Sequence, residues 1–180
     1  LSYLIAEGEN ILEIKDNYIL WPDLDKKISK GAAQVTRFNP FIYKEKAKFN
    51  KEILEEFEKY IYDDSYIKIC HNLMGFDLFV HNFWRNELGL KTDYSYLNRC
   101  IDSNSLARMY KLGIKEIKQE NWKREFFKFA DYSEKGLKTS IKWLCKEMGI
   151  EYLEEKAHDS SYDILKNFQI WNKLKGMIEI

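Results

Sequence analysis

The chain has 180 residues, of which 45% are hydrophobic and 16% aromatic, and its 29 basic residues balance its 29 acidic residues. This composition excludes a disordered chain, and the length predicts a single domain over residues 1–180 that can bury a sizeable core. The balanced charge excludes recognition of a polyanion by overall positive charge. A nucleic-acid partner would therefore have to be bound through a local patch or through metal ions.

The cysteines indicate a reducing compartment, and the apolar segments argue against a membrane protein. Cys70, Cys100 and Cys145 are far apart, odd in number and without a CxxC pair, which argues against a zinc site and against a disulfide framework. No apolar run approaches the roughly 18 residues of a membrane span, and no secretory signal is evident. We therefore expect a cytoplasmic protein with free thiols and no membrane partner.

A β-hairpin is predicted at the start of the chain. Residues 1–7 and 10–21 are β-rich runs of alternating polarity, and Gly8-Glu9-Asn10 between them is typical of a turn. Pro22 is expected to end the second strand, because proline has no backbone N–H to donate to a sheet.

Helices are predicted after the hairpin. Ser29 is a typical N-cap for a short helix over residues 31–38, and Asn39-Pro40 is expected to end that helix. A long amphipathic helix is expected from about Asn50 to Tyr60, and a turn is expected after it at residues 63–65. The inner face of the long helix is expected to carry Ile53, Leu54 and Phe57.

The second half of the chain alternates strands with helices. Short buried strands are expected at residues 66–70 and 100–102. Residues 114–136 lack a clean period and are expected to form an irregular insertion with some helix. Helices are expected at residues 71–89, 105–113, 139–148 and 160–175. Strands that alternate with helices after a hairpin predict an α/β domain with a mixed sheet.

One carboxylate interrupts an apolar helical stripe. Leu73, Asp77, Val80, Trp84 and Leu88 have the spacing that puts residues on one face of a helix. An unpaired charge in such a stripe costs several kcal/mol. Asp77 is therefore a candidate functional residue, although an acid at the rim of the stripe that pairs with a lysine would give the same pattern.

A second carboxylate lies near the end of the chain. Asp163 borders the predicted apolar face of the last helix, and His158 precedes it by five residues. Five residues would turn His158 well away from Asp163 on a continuous helix, so we expect His158 in the loop before the helix. The predicted apolar face carries Ile164, Phe168 and Trp171.

The two acids and the histidine suit a hard-cation site. Mg²⁺ and Mn²⁺ prefer oxygen ligands, and their charge would relieve the cost of burying Asp77 and Asp163. A neutral His158 beside them can act as a general base towards water. Phosphodiester hydrolysis requires these parts, so we expect the three side chains to share one site.

Several motifs in consistent order resemble one enzyme family. HNLMGFD at residues 71–77 resembles the second motif of the DEDDh-type (DnaQ-like) 3′–5′ exonucleases, which include the proofreading subunit of bacterial DNA polymerase III. HDSSYD at residues 158–163 resembles their third motif, and residues 140–150 resemble the helix before it. ISKGAAQVTRF at 28–38 and IDSNSLAR at 101–108 resemble two further segments. The likeness covers nearly the whole chain.

The resemblance implies a fold, a reaction and roles for individual residues. The fold would be ribonuclease H-like, with a mixed sheet flanked by helices. Asp77 and Asp163 would bind two Mg²⁺ (or Mn²⁺) ions, His158 would be the general base, and His71 and Asn72 would contact substrate. The substrate would be a single-stranded 3′ end of DNA, with RNA as the alternative, and a DNA polymerase is a candidate protein partner.

The family's first motif, an Asp-x-Glu pair, does not occur in these residues. The opening hairpin resembles the family's segment immediately after that motif, so the missing strand would precede Leu1. We favour an N-terminally truncated enzyme, in which case this chain alone has little activity. A degenerate relative that only binds nucleic acid or a protein partner is the alternative. The reading frame upstream of Leu1 discriminates between the two.

Three further features have simpler explanations. Asp102 ends a predicted strand before a helix, where an aspartate typically caps the helix. His81 lies one turn after Asp77 and is expected to face solvent. A third feature, at residues 122–128, combines basic and aromatic residues that suit a single nucleic-acid strand. Because glutamates dilute its charge, we interpret that segment as an ordinary amphipathic helix.

Overall fold

A computed structural model describes residues 1–21 and 27–180 and shows a mixed α/β protein that is 53% helical. Pro22, the expected end of the hairpin, lies outside the described residues. The chain divides into two compact units. Unit 1 contains Leu1–Glu58 and Leu153–Leu165, and unit 2 contains Lys59–Tyr152 and Lys166–Ile180. The interpretation of residues 1–180 as a single domain stays a prediction.

The predicted hairpin is present in unit 1. Strands β1 (Ser2–Glu7) and β2 (Asn10–Asp16) pair in antiparallel register around the turn, with an irregularity between Ile5 and Ala6. The second strand is shorter than predicted, because the chain leaves β2 after Asp16. It then forms β3 (Ile19–Leu20), which pairs in parallel with β4 (Lys48–Phe49).

The described residues of unit 1 contain a helix that the sequence did not predict. Helix α1 (Lys30–Thr36) begins as expected, since the Ser29 hydroxyl accepts a hydrogen bond from the backbone of the first turn. Asn39-Pro40 ends it but also starts α2 (Pro40–Lys46). The Asn39 side chain caps α2, and proline is tolerated in a first turn. Helix α3 comes next, at Asn50–Ile61.

Unit 2 is built around a short parallel strand pair. β5 (Lys68–Cys70) pairs with β6 (Cys100–Asp102), and Cys70 lies opposite Asp102. β5 is half-buried rather than buried. After α3, the helices of unit 2 are a π-helix at Leu73–Asp77, α4 (Leu78–Glu87), α5 (Ser103–Lys111), α6 (Trp122–Ala130), α7 (Ile141–Glu147) and α8 (Ser160–Leu174). The first residues of α8 belong to unit 1. Short 3₁₀ turns lie at Ser95–Arg99, Gln119–Asn121 and Glu154–Lys156.

The α/β class is confirmed, but the described strands pair two by two rather than in one mixed sheet. Two- and three-residue strands offer few hydrogen bonds, so helix packing dominates the core of unit 2. Its fully buried side chains include Leu106, Phe126, Leu144, Ile170 and Leu174. Within residues 1–21 and 27–180, no helix combines the length and apolar character that a membrane span requires.

The predicted apolar face of the last helix is wrong. Ile164, Phe168 and Trp171 are only half-buried, whereas Ile170 and Leu174 are fully buried. The side chain of Asn167 is also buried, because its Oδ1 accepts a hydrogen bond of 2.6 Å from the Ser103 hydroxyl. This polar contact turns the Asn167–Ile170–Leu174 face inwards.

Candidate functional site

The π-helix decides where Asp77 points. The Leu78 N–H donates to the carbonyl of Leu73, five residues earlier, so this turn holds more residues than an α-helical turn. The added residue rotates the helix that comes after it. Leu78 and Trp84 are therefore buried, whereas Val80 is 44% exposed and Asp77 is exposed. The predicted stripe is wrong at those two positions, because its spacing assumed an uninterrupted α-helix.

The carboxyl of Asp77 is accessible yet electrostatically strained. Burial by the surrounding protein raises its pKa to about 6, and the nearby negative charge of Asp102 contributes in the same direction. The residue as a whole is exposed, whereas its carboxyl is partly desolvated by the protein around it. Asp77 can therefore change charge close to neutral pH.

Asp102 holds the strand ends together. Its carboxylate accepts hydrogen bonds from four backbone N–H groups, those of Asn72, Met74, Asn104 and Ser105. The last two bonds cap helix α5, which confirms the capping role, and the first two fix the backbone that leads to Asp77. Complete burial nevertheless keeps the pKa of Asp102 above its ordinary value. Its oxygens are already used by the protein.

The junction between β5 and the π-helix is tightly built. Asn72 adopts a left-handed conformation with φ of 69°, which asparagine tolerates better than most residues. A methyl group at Gly75 would lie 2.7 Å from Oδ1 of Asn72, so only glycine fits there without a shift. The Asn104 amide approaches the same oxygen at 3.5 Å. The predicted contact between Asn72 and substrate stays a prediction.

The ring of His71 is engaged with the protein. Its Nδ1 lies 3.0 Å from the Ser103 hydroxyl, and the ring also hydrogen-bonds the backbone of Thr139. Burial lowers the pKa of His71 to about 4, and the positive charge of Arg108 contributes in the same direction. His71 is therefore neutral at physiological pH. These contacts link the junction between β5 and the π-helix to the start of α5, and contact of His71 with substrate stays a prediction.

His81 is buried, so the expectation that it faces solvent is wrong. Its Nδ1 lies 3.1 Å from the hydroxyl of Tyr96, and its ring also packs near Tyr62. The rotation introduced by the π-helix brings this face of α4 inwards, together with Asn82. His81 is part of an aromatic and polar core rather than of the surface around Asp77.

His158 and Asp163 lie close together in unit 1. His158 is exposed in the loop before α8, as predicted, with φ of 65°. Its backbone N–H hydrogen-bonds the Asp163 carboxylate, yet burial still raises the pKa of Asp163 above its ordinary value. Asp159 caps the helix by accepting from the Tyr162 N–H at 3.0 Å. Asp163 therefore lies in the first turn of α8, beside His158.

The basic and aromatic segment of α6 is an amphipathic helix, as interpreted. Trp122 and Phe126 are buried, so they cannot stack on a nucleic acid. Arg124 and Lys128 both pair with Glu125, at 2.8 and 3.8 Å. Glu125 therefore offsets part of the positive charge of this segment, although Phe127 is 39% exposed and Lys123 is exposed as well.

Sequence reasoning missed a buried polar cluster at the strand ends. Ser103, Asn104 and Asn167 are buried and surround the contacts of His71 and Asp102. The sequence feature that could have indicated this cluster is the polar run Ser103-Asn104-Ser105, which follows directly after a predicted buried strand. Such a run indicates hydrogen bonding at a strand end.

The donor set for a divalent cation is sparse. Within the described ranges, no group of three or more His, Cys, Asp or Glu side chains is arranged to hold a metal ion. Asp77 fits Mg²⁺ in donor chemistry, and magnesium often uses one or two carboxylates together with substrate phosphates. Asp77 belongs to unit 2, whereas His158 and Asp163 belong to unit 1, and the predicted shared site stays a prediction.

Comparison with known proteins gives no relative. No protein-family model, curated protein or solved structure matches the chain. Function has therefore to be argued from the side chains.

Proposed function

We propose that the chain is a metal-dependent 3′–5′ exonuclease domain of ribonuclease H-like fold, which hydrolyses phosphodiester bonds at the 3′ ends of DNA. The observation that carries the proposal is Asp77, an exposed residue near the buried Asp102 carboxylate, whose pKa is raised to about 6 by burial of its carboxyl and by the charge of Asp102. A cation and a phosphate would complete that environment. The order of the HNLMGFD and HDSSYD motifs adds support.

Each residue has a role in the proposed reaction. Asp77 and Asp163 would be the ligands of Mg²⁺ or Mn²⁺, and the cation would supply activation of water and stabilisation of the leaving oxygen. His158 accepts the proton of the attacking water. Asp102 keeps the backbone before Asp77 in place through its bonds to Asn72 and Met74. Protons and the cation compete for Asp77, so its raised pKa predicts that metal affinity increases as pH rises through about 6.

A binding module without catalytic activity is the second candidate. The absence of an Asp-x-Glu pair from these residues favours it, as does the sparse donor set among the described residues. A 3′–5′ exoribonuclease is a variant of the first candidate, because the same side chains would serve RNA. Cytoplasmic location and a polymerase partner belong to the proposal as well.

The test measures mononucleotide release from 3′-labelled single-stranded DNA and RNA in Mg²⁺, using the protein encoded by the full reading frame. Asp77→Asn is expected to lower the rate by at least about 100-fold, because the variant cannot offer an anionic ligand. Glu87→Gln, at an exposed acid in the helix that begins after Asp77, is the matched control and should leave the rate unchanged.

Metal binding gives a second readout that does not depend on turnover. Substoichiometric Mn²⁺ should broaden the amide NMR signals of residues 72–78 in the 180-residue chain, and Asp77→Asn should remove the effect. A full-length protein that releases no mononucleotide while its Asp77 still binds Mn²⁺ would favour the binding module. Unchanged activity in Asp77→Asn would refute the assignment.

A further inference from the structure

Two lysines converge on one tryptophan in unit 2. Nζ of Lys138 lies 3.8 Å from the ring centroid of Trp143, and Nζ of Lys146 lies 5.1 Å from the same centroid. Lys138 precedes helix α7, and Lys146 lies in its last turn. Both lysines are exposed, and Trp143 is half-buried. We call these three residues the lysine–tryptophan surface.

The nearest acid of α7 does not cancel this charge. Glu147 forms an ion pair with Lys111 at 2.5 Å, so its negative charge is already balanced. Lys111 also donates to the backbone carbonyl of Lys138, which anchors the segment before the helix. The lysine–tryptophan surface therefore keeps a local positive charge in a chain whose net charge is zero.

The arrangement favours an anion. Both ammonium groups are attracted to the face of one ring, so their nitrogens are no farther apart than the sum of the two ring distances. Like charges held this close repel each other. An anionic oxygen between them turns the repulsion into attraction, and lysine binds phosphate as a point charge.

We propose that the lysine–tryptophan surface binds the phosphate backbone of single-stranded nucleic acid. The choice of nucleic acid among polyanions rests on the proposed function. Single-strand sites combine cations that track the backbone with aromatic rings on which bases stack. The lysine–tryptophan surface supplies two cations, and the ring of Trp143 holds them near each other rather than stacking on a base, because Lys138 already lies over it. The cations Arg124 and Lys128 on α6 are instead paired with Glu125.

The test is binding of fluorescein-labelled oligo(dT) of about 20 nucleotides, measured by anisotropy in EDTA so that no hydrolysis occurs. The double variant K138Q/K146Q is expected to bind roughly tenfold or more weakly at about 50 mM salt. Its plot of log affinity against log salt should be shallower by about 1.4, since each single-strand phosphate contact contributes about 0.7. W143L should weaken binding without changing that slope.

The control variant is K91Q/K118Q, which removes two exposed lysines elsewhere in the unit and changes the net charge equally. Equal weakening by both double variants would overturn the proposal, because it would reflect net charge alone. Absence of binding by the unaltered chain at low salt would overturn it as well, as would preferential binding to phosphatidylserine vesicles. Failure of the exonuclease assay leaves this binding result standing, since no metal is present in it.

Discussion

Asp77 and His71 lie six residues apart beyond the end of β5, and burial moves their pKa values in opposite directions. A raised carboxyl pKa means that the folded protein prefers neutral Asp77. A lowered imidazole pKa means that it prefers neutral His71. Between about pH 4 and pH 6, acidification therefore stabilises the fold through Asp77 and destabilises it through His71.

Replacement of Asp77 tests the first half of this balance. The folded pKa of about 6 lies above the ordinary 3.8, so the stability from neutral Asp77 is lost as pH rises through 6. Asp77→Asn should therefore be more stable than the unaltered chain above pH 6, by at most about 1 kcal/mol after solvent screening. Urea unfolding across pH should show the difference vanish near pH 4. A difference independent of pH would contradict the assignment.

Replacement of His71 tests the second half. Its folded pKa of about 4 lies below the ordinary 6.5, so stability that is present above pH 6.5 is lost as pH falls towards 4. His71→Asn can keep a polar atom near the Ser103 hydroxyl and has no proton to gain. It should lose roughly 2 kcal/mol less stability over this range than the unaltered chain. An identical acid profile in urea unfolding would exclude His71 as the cause.

At the scale of the element, the π-helix separates the predictable part of the fold from the unpredictable part. The helix beginnings at Ser29 and Asp102 were predictable, because capping depends on residues a few positions apart. The widened turn at Leu73–Asp77 was not, since no local pattern marks a single added residue. The predictions that Val80 is buried and that His81 faces solvent were therefore both wrong.

Two alanine substitutions in α4 check the corrected register. Leu78 is 2% exposed, so Leu78→Ala should lower the free energy of unfolding by about 2–5 kcal/mol. Val80 is 44% exposed, so Val80→Ala should change it by less than about 1 kcal/mol. Chemical denaturation of both variants measures the contrast. A larger loss of unfolding free energy for Val80→Ala than for Leu78→Ala would contradict the π-helix and favour an uninterrupted α-helix.

At the scale of the whole molecule, the described chain distributes its buried apolar side chains unevenly. In unit 1 those side chains are Tyr43, Ile53 and Leu54, whereas unit 2 contains the larger set. Local stability depends on buried apolar contacts. Native-state hydrogen exchange should therefore give the slowest amides in β6 and α5, with faster exchange in β1 and β2. Equal protection of both units would contradict this expectation.

The candidate site was predictable to a different extent in each unit. Residue type and spacing made Asp77, Asp163 and His158 candidates, and their shared role stays a prediction. The loop position of His158 is confirmed, whereas the helical stripe that singled out Asp77 was wrong. The polar cluster of Ser103, Asn104 and Asn167 was missed. Asn167 is far from the other two in sequence, and its bond to Ser103 depends on tertiary packing that local patterns do not contain.

The widened turn also makes α4 unusually sensitive to chain length. Deleting Gly75 would allow the turn to close into ordinary α-helix, and every side chain from Leu78 onwards would swing by about 100°. Buried leucine and tryptophan would move outwards while exposed phenylalanines moved inwards. The loss of one small residue would thus turn part of the buried face of α4 towards solvent, although no apolar side chain had been altered.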